Sequence, residues 1–121
     1  MHFQVNHHQD IAIIRLSGNF DGGKDCDNLK ATVEELAATG QRKIVFSFSL
    51  VRWINSCGIG TLIASKQLME NLSGRIALCN LDRRPLSVLH KTRLYDYFDV
   101  ADTEKEALAL LEHTETIPSD Q

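Results

Sequence analysis

"KIVFSFSLVRWINSCGIG", residues 43 to 60, decides the fold of this 121-residue chain. The run from Lys43 to Ser49 is apolar and rich in β-branched and aromatic residues, which predicts a central strand. A short turn follows, and the apolar residues after it keep the three- and four-residue spacing of a helix. The turn therefore leaves the carboxyl end of a strand, where parallel α/β sheets place their binding sites.

Strand and helix patterns alternate on both sides of this stretch. "FQV" and "IAIIRLS", near the N-terminus, predict an antiparallel hairpin, and "RIALCN" and "LYDYFDV" predict two later strands. Helical spacing appears in three further places, with a capping box predicted at Thr103 and Glu106. We therefore expect a single α/β domain over residues 1–113, with a mostly parallel sheet of four to five strands, an antiparallel edge strand and about four helices. Residues 114–121 are expected to form a frayed tail.

Composition excludes several classes of function. Thirteen basic and sixteen acidic residues are scattered along the chain and give a net charge of -3, so no basic stripe is available for nucleic acid. The N-terminus lacks the apolar core of a signal peptide, and no apolar run approaches the roughly 20 residues of a membrane helix. We expect a soluble, cytoplasmic protein. An odd number of cysteines, Cys26, Cys57 and Cys79, favours reduced thiols over a disulfide framework.

The residues around the turn do not complete a known catalytic pattern. "NSCGIG" lacks the glycine two residues before the serine that a nucleophile elbow uses. Cys57 would need a positioned histidine, and none of the five histidines has an evident claim. His7 and His8 are adjacent on a predicted strand, so they point to opposite faces and cannot share a metal. We predict no catalytic residue, no metal and no cofactor, hence a protein that is not an enzyme.

Three pieces of the chain resemble the STAS family, the bacterial anti-sigma-factor antagonists. "LSGNFD" is similar to the motif that ends the family's second strand, and "IVFSFSLVRWINSCGIG" to its strand and Asp-Ser-Ser/Thr-Gly turn. "DTEKEALALL" resembles the family's acidic final helix. The resemblance implies that Ser56 accepts a phosphate from a partner that is both a serine kinase and an anti-sigma factor.

Both "GNFDGG" and the quoted turn leave carboxyl ends of predicted strands, so we expect the two loops to lie side by side at one edge of the sheet. The resemblance implies a docking surface at this edge. The resemblance is also compatible with a phosphatase as a further partner. The alternative within the family is a STAS subunit that docks permanently in an ABC transporter or a sensory complex, without a phospho-switch. The residues assigned to partner binding are Asp21, Trp53, Asn55, Cys57, Gly58 and Ile59.

Most of these residues also have a purely structural interpretation. Ser56 could be the N-cap of the helix, and Asp21 could cap a loop turn. Trp53 could belong to the core or could anchor an interface, as exposed aromatic residues do. Cys57 could be a half-buried filler or a redox-active thiol at a helix N-terminus. Gly58 could serve tight packing between helix and strand.

Four positions depart from the family pattern. Asn55 replaces the aspartate before the serine, Cys57 replaces the second Ser/Thr, and Ser47 replaces an acidic residue within the strand. Arg93 replaces the usual glycine before Leu94 and Tyr95. Because the amide of Asn55 removes a negative charge beside the acceptor, a phosphate on Ser56 would meet less repulsion there. The same change is equally compatible with a kinase that binds this protein differently, or with the loss of the kinase.

Overall fold

A computed structural model describes residues 2–19 and 23–113 of the chain. Asp21 and the tail predicted for residues 114–121 lie outside these ranges. Within them, no helix has the length and apolar character needed to cross a membrane. In chain order, the elements are β1 (His2–His8), β2 (Ile11–Ser17), α1 (Gly23–Ala38), β3 (Lys43–Leu50), α2 (Ser56–Asn71), β4 (Arg75–Cys79), α3 (Arg83–Lys91), β5 (Asp99–Ala101) and α4 (Glu104–His113).

The five strands form one sheet in the order β1-β2-β3-β4-β5. β1 runs antiparallel to β2 at one edge, and the remaining pairs are parallel. In the middle of the sheet, Val45 is in register with Ile13 of β2 and Ala77 of β4. The predicted fold class, a mostly parallel sheet with an antiparallel edge strand and four helices, is confirmed.

Helices cover both faces of the sheet, so the central strands are buried on both sides. β2 and β3 therefore read as nearly continuous apolar runs, as expected for doubly covered parallel strands. α4 covers one face through Ala107 and Leu111. α1, α2 and α3 contribute to the larger core on the opposite face, whose fully buried side chains include Leu16, Leu29, Ile44, Phe46, Phe48, Leu62, Met69, Ile76 and Leu78.

The first three helices end with one residue in the left-handed conformation. This residue is Gly40 after α1, Ser73 after α2 and Arg93 after α3, with φ of 101°, 62° and 61°. After α3, the amide of Arg93 donates to the His90 carbonyl and the amide of Leu94 to the Leu89 carbonyl, the paired bonds of a Schellman cap. Position 93 therefore needs a left-handed backbone, which glycine, the family's usual residue there, adopts without strain.

Gly74 is required by a close approach of two backbone segments. A Cβ atom at this position would overlap the carbonyl oxygen of Arg42, which precedes β3. The amide of the next residue, Arg75, donates to that same oxygen at 2.8 Å. The end of α2 is thereby held against the start of β3.

The cysteines differ from the expectation of three reduced thiols. Cys26 of α1 and Cys57 of α2 are paired in a disulfide, whereas Cys79 of β4 is free and buried. The prediction was wrong for the first two because their 31-residue separation in sequence gives no hint that α1 and α2 pack side by side.

Candidate functional site

The loops that leave β2 and β3 lie side by side at one edge of the sheet. The two strands are parallel neighbours, so their carboxyl ends meet at the same edge. The Gly18 amide donates to the Leu50 carbonyl at 3.0 Å and joins the beginnings of the two loops. We call this edge the rim and define it by residues 18–19, 50–60 and 80–84. The adjacency predicted for the two loops is observed at their first residues, while Asp21 lies beyond the described part.

The N-cap of α2 is Asn55, and Ser56 is the first residue of the helix. The Asn55 side-chain oxygen accepts from the amide of Gly58 at 2.9 Å, and its carbonyl accepts from the amide of Ile59 at 3.0 Å. Ser56 is exposed, and within residues 2–19 and 23–113 no hydrogen bond engages its hydroxyl. The capping interpretation therefore belongs to Asn55, which leaves the Ser56 hydroxyl accessible to another protein.

The helix end beside Ser56 suits a phosphate group. The first turn of α2 contains no acidic residue. The amides at a helix N-terminus carry a partial positive charge that favours anions. A phosphate on Ser56 would therefore be accommodated without an opposing carboxylate on the same turn.

Two apolar side chains project from the rim just before Ser56. Leu50, at the end of β3, is 68% exposed, and Trp53 is 37% exposed. The residues that alternate with them, Val51 and Ile54, are buried and fix the loop to the core. Trp53 therefore lies outside the core, and its role as an interface anchor stays a prediction.

The remaining residues assigned to partner binding point more toward the protein than Ser56 does. Gly58 is buried, and Ile59 is half-buried against the larger core. Cys57 is half-buried in its disulfide with Cys26, and its carbonyl accepts from the Thr61 hydroxyl at 3.0 Å. Asn55 is half-buried as the cap. These four residues form the N-cap and first turn of α2, on which Ser56 is exposed.

Sequence reasoning missed Leu50 and a cluster of arginines. Arg52, Arg83 and Arg84 line a cavity of about 260 Å³ together with Asp82, the N-cap of α3. β3 and β4 are adjacent, so this cluster lies on the same rim as Trp53. The "DRRP" run was a usable signal, because basic residues at a predicted helix start have no favourable interaction with the helix dipole.

An ion pair with two hydrogen bonds lies away from the rim, between the sheet and α4. Arg15 donates from Nε and Nη2 to the two carboxylate oxygens of Glu104, at 2.8 and 2.9 Å. These hydrogen bonds hold the pKa of Glu104 below its usual range and raise that of Arg15. Nearby, burial raises the pKa of the Cys79 thiol to about 11. This pair secures α4 and takes no part in the rim.

The described part of the chain contains no group of three or more His, Cys, Asp and Glu side chains placed to hold a metal ion. Two histidines have other contacts there. His90 stacks on Tyr95, with ring centroids 4.3 Å apart, and His8 lies 3.5 Å from the Glu112 carboxylate. Among its described residues, the rim thus carries exposed apolar side chains and one accessible hydroxyl, that of Ser56.

Comparison with known proteins places these features in a family. The STAS domain family model matches residues 2–107. An anti-sigma F factor antagonist of Paenibacillus polymyxa is 26% identical over 113 residues, 93% of this chain and 96% of that protein. The phosphorylated form of the Bacillus cell fate determinant SpoIIAA superposes with a TM-score of 0.72 at 23% identity, covering 90% of this chain and 98% of that chain. A sulfate transporter family protein from Wolinella succinogenes gives 0.76 at 19%, covering 88% and 89%. At these identities, the two structures show a shared fold.

Proposed function

This chain belongs to the STAS domain family, and we propose that it is an anti-sigma factor antagonist, switched by phosphorylation of Ser56. In this proposal the unphosphorylated rim binds an anti-sigma factor with serine kinase activity and so releases a sigma factor. The Paenibacillus relative is named an anti-sigma F factor antagonist, and the structure of the Bacillus protein SpoIIAA is of its phosphorylated form. We expect the interaction to take place in the cytoplasm, and a phosphatase to reverse the modification.

The single observation that carries the proposal is the position of the Ser56 hydroxyl. It is exposed on the first residue of α2, while the neighbouring Asn55 makes the helix cap. A kinase can therefore use the hydroxyl without removing a bond that stabilises the fold. In the transfer, the Ser56 oxygen attacks the γ-phosphorus of ATP, its proton passes to a base of the kinase, and ADP leaves.

Phosphorylation would change the charge of the surface and leave the fold in place. A phosphoserine carries about -1.5 to -2 charge near neutral pH. In the partner-bound state, the group would lie beside Trp53 and Leu50, on a surface that must lose water when it docks. The cost of desolvating the charge disfavours the complex, so the phosphorylated protein would leave its partner.

A second candidate function is a permanent subunit of a transport or sensory complex. The fold shared with the sulfate transporter family protein favours it. A pull-down from the protein's own cells distinguishes the two, with wild type as bait and Trp53→Ala as the control bait. A soluble ATP-binding kinase supports the antagonist, and an ABC-transporter component supports the subunit.

Incubation of the kinase, ATP and wild type should then add one phosphate, mapped to Ser56. Phosphate at another residue would contradict the switch.

A further inference from the structure

The disulfide joins the beginnings of the two helices that follow the rim loops. Cys26 is the fourth residue of α1, in its first turn. Cys57 directly follows Ser56 and is the second residue of α2. Their Cα atoms are 6.4 Å apart, within the roughly 4.4–6.8 Å that a disulfide spans without backbone movement. The native packing of α1 on α2 therefore brings the two residues within bonding reach.

We propose that Cys26 and Cys57 form a reversible disulfide, and that this bond holds the first turn of α2 closed and slows phosphorylation of Ser56. The effect on phosphorylation rests on the proposed function, whereas the bond and its effect on the helix do not. Oxidation would then keep the protein in its unphosphorylated, partner-binding form.

A permanent structural disulfide does not fit the protein's other features. Two cores and a chain of this length provide enough apolar burial for a stable domain without a covalent staple. In the reducing compartment expected for this function, disulfides are usually transient and sense oxidants. A bond that forms and is reduced in response to conditions is therefore the consistent interpretation.

The chemistry requires a peroxide as oxidant and a dithiol protein as reductant. The helix N-terminus favours the thiolate of reduced Cys57, which attacks one peroxide oxygen and releases hydroxide (an alkoxide if the peroxide is organic), leaving a sulfenic acid. The Cys26 sulfur then attacks the sulfenic sulfur, forms the S–S bond and expels water. With hydrogen peroxide, two thiols and one peroxide give one disulfide and two waters. A dithiol of the thioredoxin class returns both electrons and both protons.

Cys79 provides the matched control for this chemistry. It is fully buried under α4 and unpaired, and burial raises its thiol pKa to about 11. It therefore stays protonated near neutral pH and reacts slowly with peroxide. Oxidation should leave it as a thiol in the same sample in which Cys26 and Cys57 are joined.

The bond affects Ser56 because it restrains the adjacent residue. The Ser56 hydroxyl is already exposed, so a kinase has only to align it with the γ-phosphate of ATP, and small movements of the first turn of α2 help this alignment. The ends of helices open locally at small cost in free energy. With Cys57 tethered to α1, this opening is suppressed, so we expect phosphorylation to slow by about tenfold in the oxidised protein.

The test compares wild type after treatment with hydrogen peroxide and after treatment with a dithiol. Alkylation and mass spectrometry should show Cys26 and Cys57 blocked after peroxide and free after dithiol, with Cys79 unchanged. Amide hydrogen exchange in residues 56–59 should slow at least severalfold in the oxidised sample. Cys57→Ser and Cys26→Ser should remove the difference, and Cys79→Ala should keep it.

Two results would overturn the inference. One is that both cysteines remain alkylatable after peroxide, and the other is that exchange in residues 56–59 is equal in the two samples. If the bond and the slower exchange are observed but the reduced protein accepts no phosphate, the phospho-switch is wrong and the redox pair stands. Equal phosphorylation rates of the two samples would contradict the control of Ser56.

Discussion

The side-chain oxygen of Asn55 accepts the amide hydrogen of Gly58 at 2.9 Å, so the residue before Ser56 caps α2. The stabilising cap and the accessible hydroxyl are therefore carried by two different side chains. A family aspartate at position 55 could make the same hydrogen bond with an added negative charge. Asn55 keeps the bond and leaves the charge out.

Asn55→Ala should destabilise the protein more than Ser56→Ala does. Loss of an N-cap costs about 1 kcal/mol of unfolding free energy, whereas an exposed hydroxyl contributes within about ±0.5 kcal/mol. Urea denaturation of the two variants and wild type measures the difference. Equal losses, or a larger loss for Ser56→Ala, would return the capping role to Ser56.

Ser56→Asp should weaken binding of the kinase-type partner by about tenfold or more, because a buried rim charge must be desolvated. Ser56→Ala should bind as wild type does, accept no phosphate and act in cells as a permanently active antagonist. Isothermal titration with the purified partner checks the affinities. The switch is refuted by equal affinity of the alanine and aspartate variants.

Trp53→Ala should weaken partner binding by roughly 2 kcal/mol, the usual cost of truncating an aromatic anchor. Its melting temperature should stay close to that of wild type, since the ring lies outside the core. Leu72→Ala is the matched control, because Leu72 is also 37% exposed but lies at the opposite end of α2. Similar binding losses in both variants would remove the rim from the interface.

Arg93→Gly should stabilise the protein by about 0.5–1 kcal/mol. A non-glycine residue in the left-handed region costs about 1–2 kcal/mol, and the greater freedom of glycine in the unfolded chain returns part of the gain. Lys91→Gly, at the last residue of α3, has no positive φ to relieve and should instead lose up to about 1 kcal/mol. Urea denaturation of both variants tests the pair, and a loss in Arg93→Gly would contradict the conformational argument.

Stability should fall in acid partly through Glu104. The hydrogen bonds from Arg15 keep the folded-state pKa of this carboxyl below its unfolded value of about 4.3. The contribution is therefore fully present above that value and is lost as the pH falls through the lower, folded pKa. Between pH 6 and about pH 3, the melting temperature of Glu104→Gln should fall less than that of wild type. Glu35→Gln, on the exposed side of α1, should decline as wild type does.

The order of strands and helices could be predicted because the local patterns agree with the fold. Thr103 and Glu106 illustrate this: the Thr103 hydroxyl accepts from the Glu106 amide at 3.2 Å, as a capping box requires. The Glu106 carboxylate, however, accepts from the amide of Asp102, one residue earlier than expected. Boundaries shift in this way because side-chain reach depends on the final turn geometry.

The features that were missed depend on packing between distant segments. Cys26 and Cys57 meet because α1 lies on α2, which no local pattern encodes. Leu50 ends an apolar run and resembles a core residue, but the pairing with β2 shifts by one residue between Ser47 and Leu50, and Leu50 is exposed. Asn55 and Ser56 are both good N-cap residues. Which of them caps α2 depends on whether the helix begins at residue 56 or at residue 57, a difference of one residue.

The strictly sequential strand order separates evolution of the rim from evolution of the sheet. Each strand pairs only with its neighbours in sequence, so every connecting segment joins adjacent strands and none crosses another. A rim loop can thus change its length or sequence without altering any strand register. Duplicated copies of such a gene could diverge in partner choice through the exposed residues Leu50, Arg52, Trp53, Arg83 and Arg84 alone, while one inherited sheet keeps each copy folded.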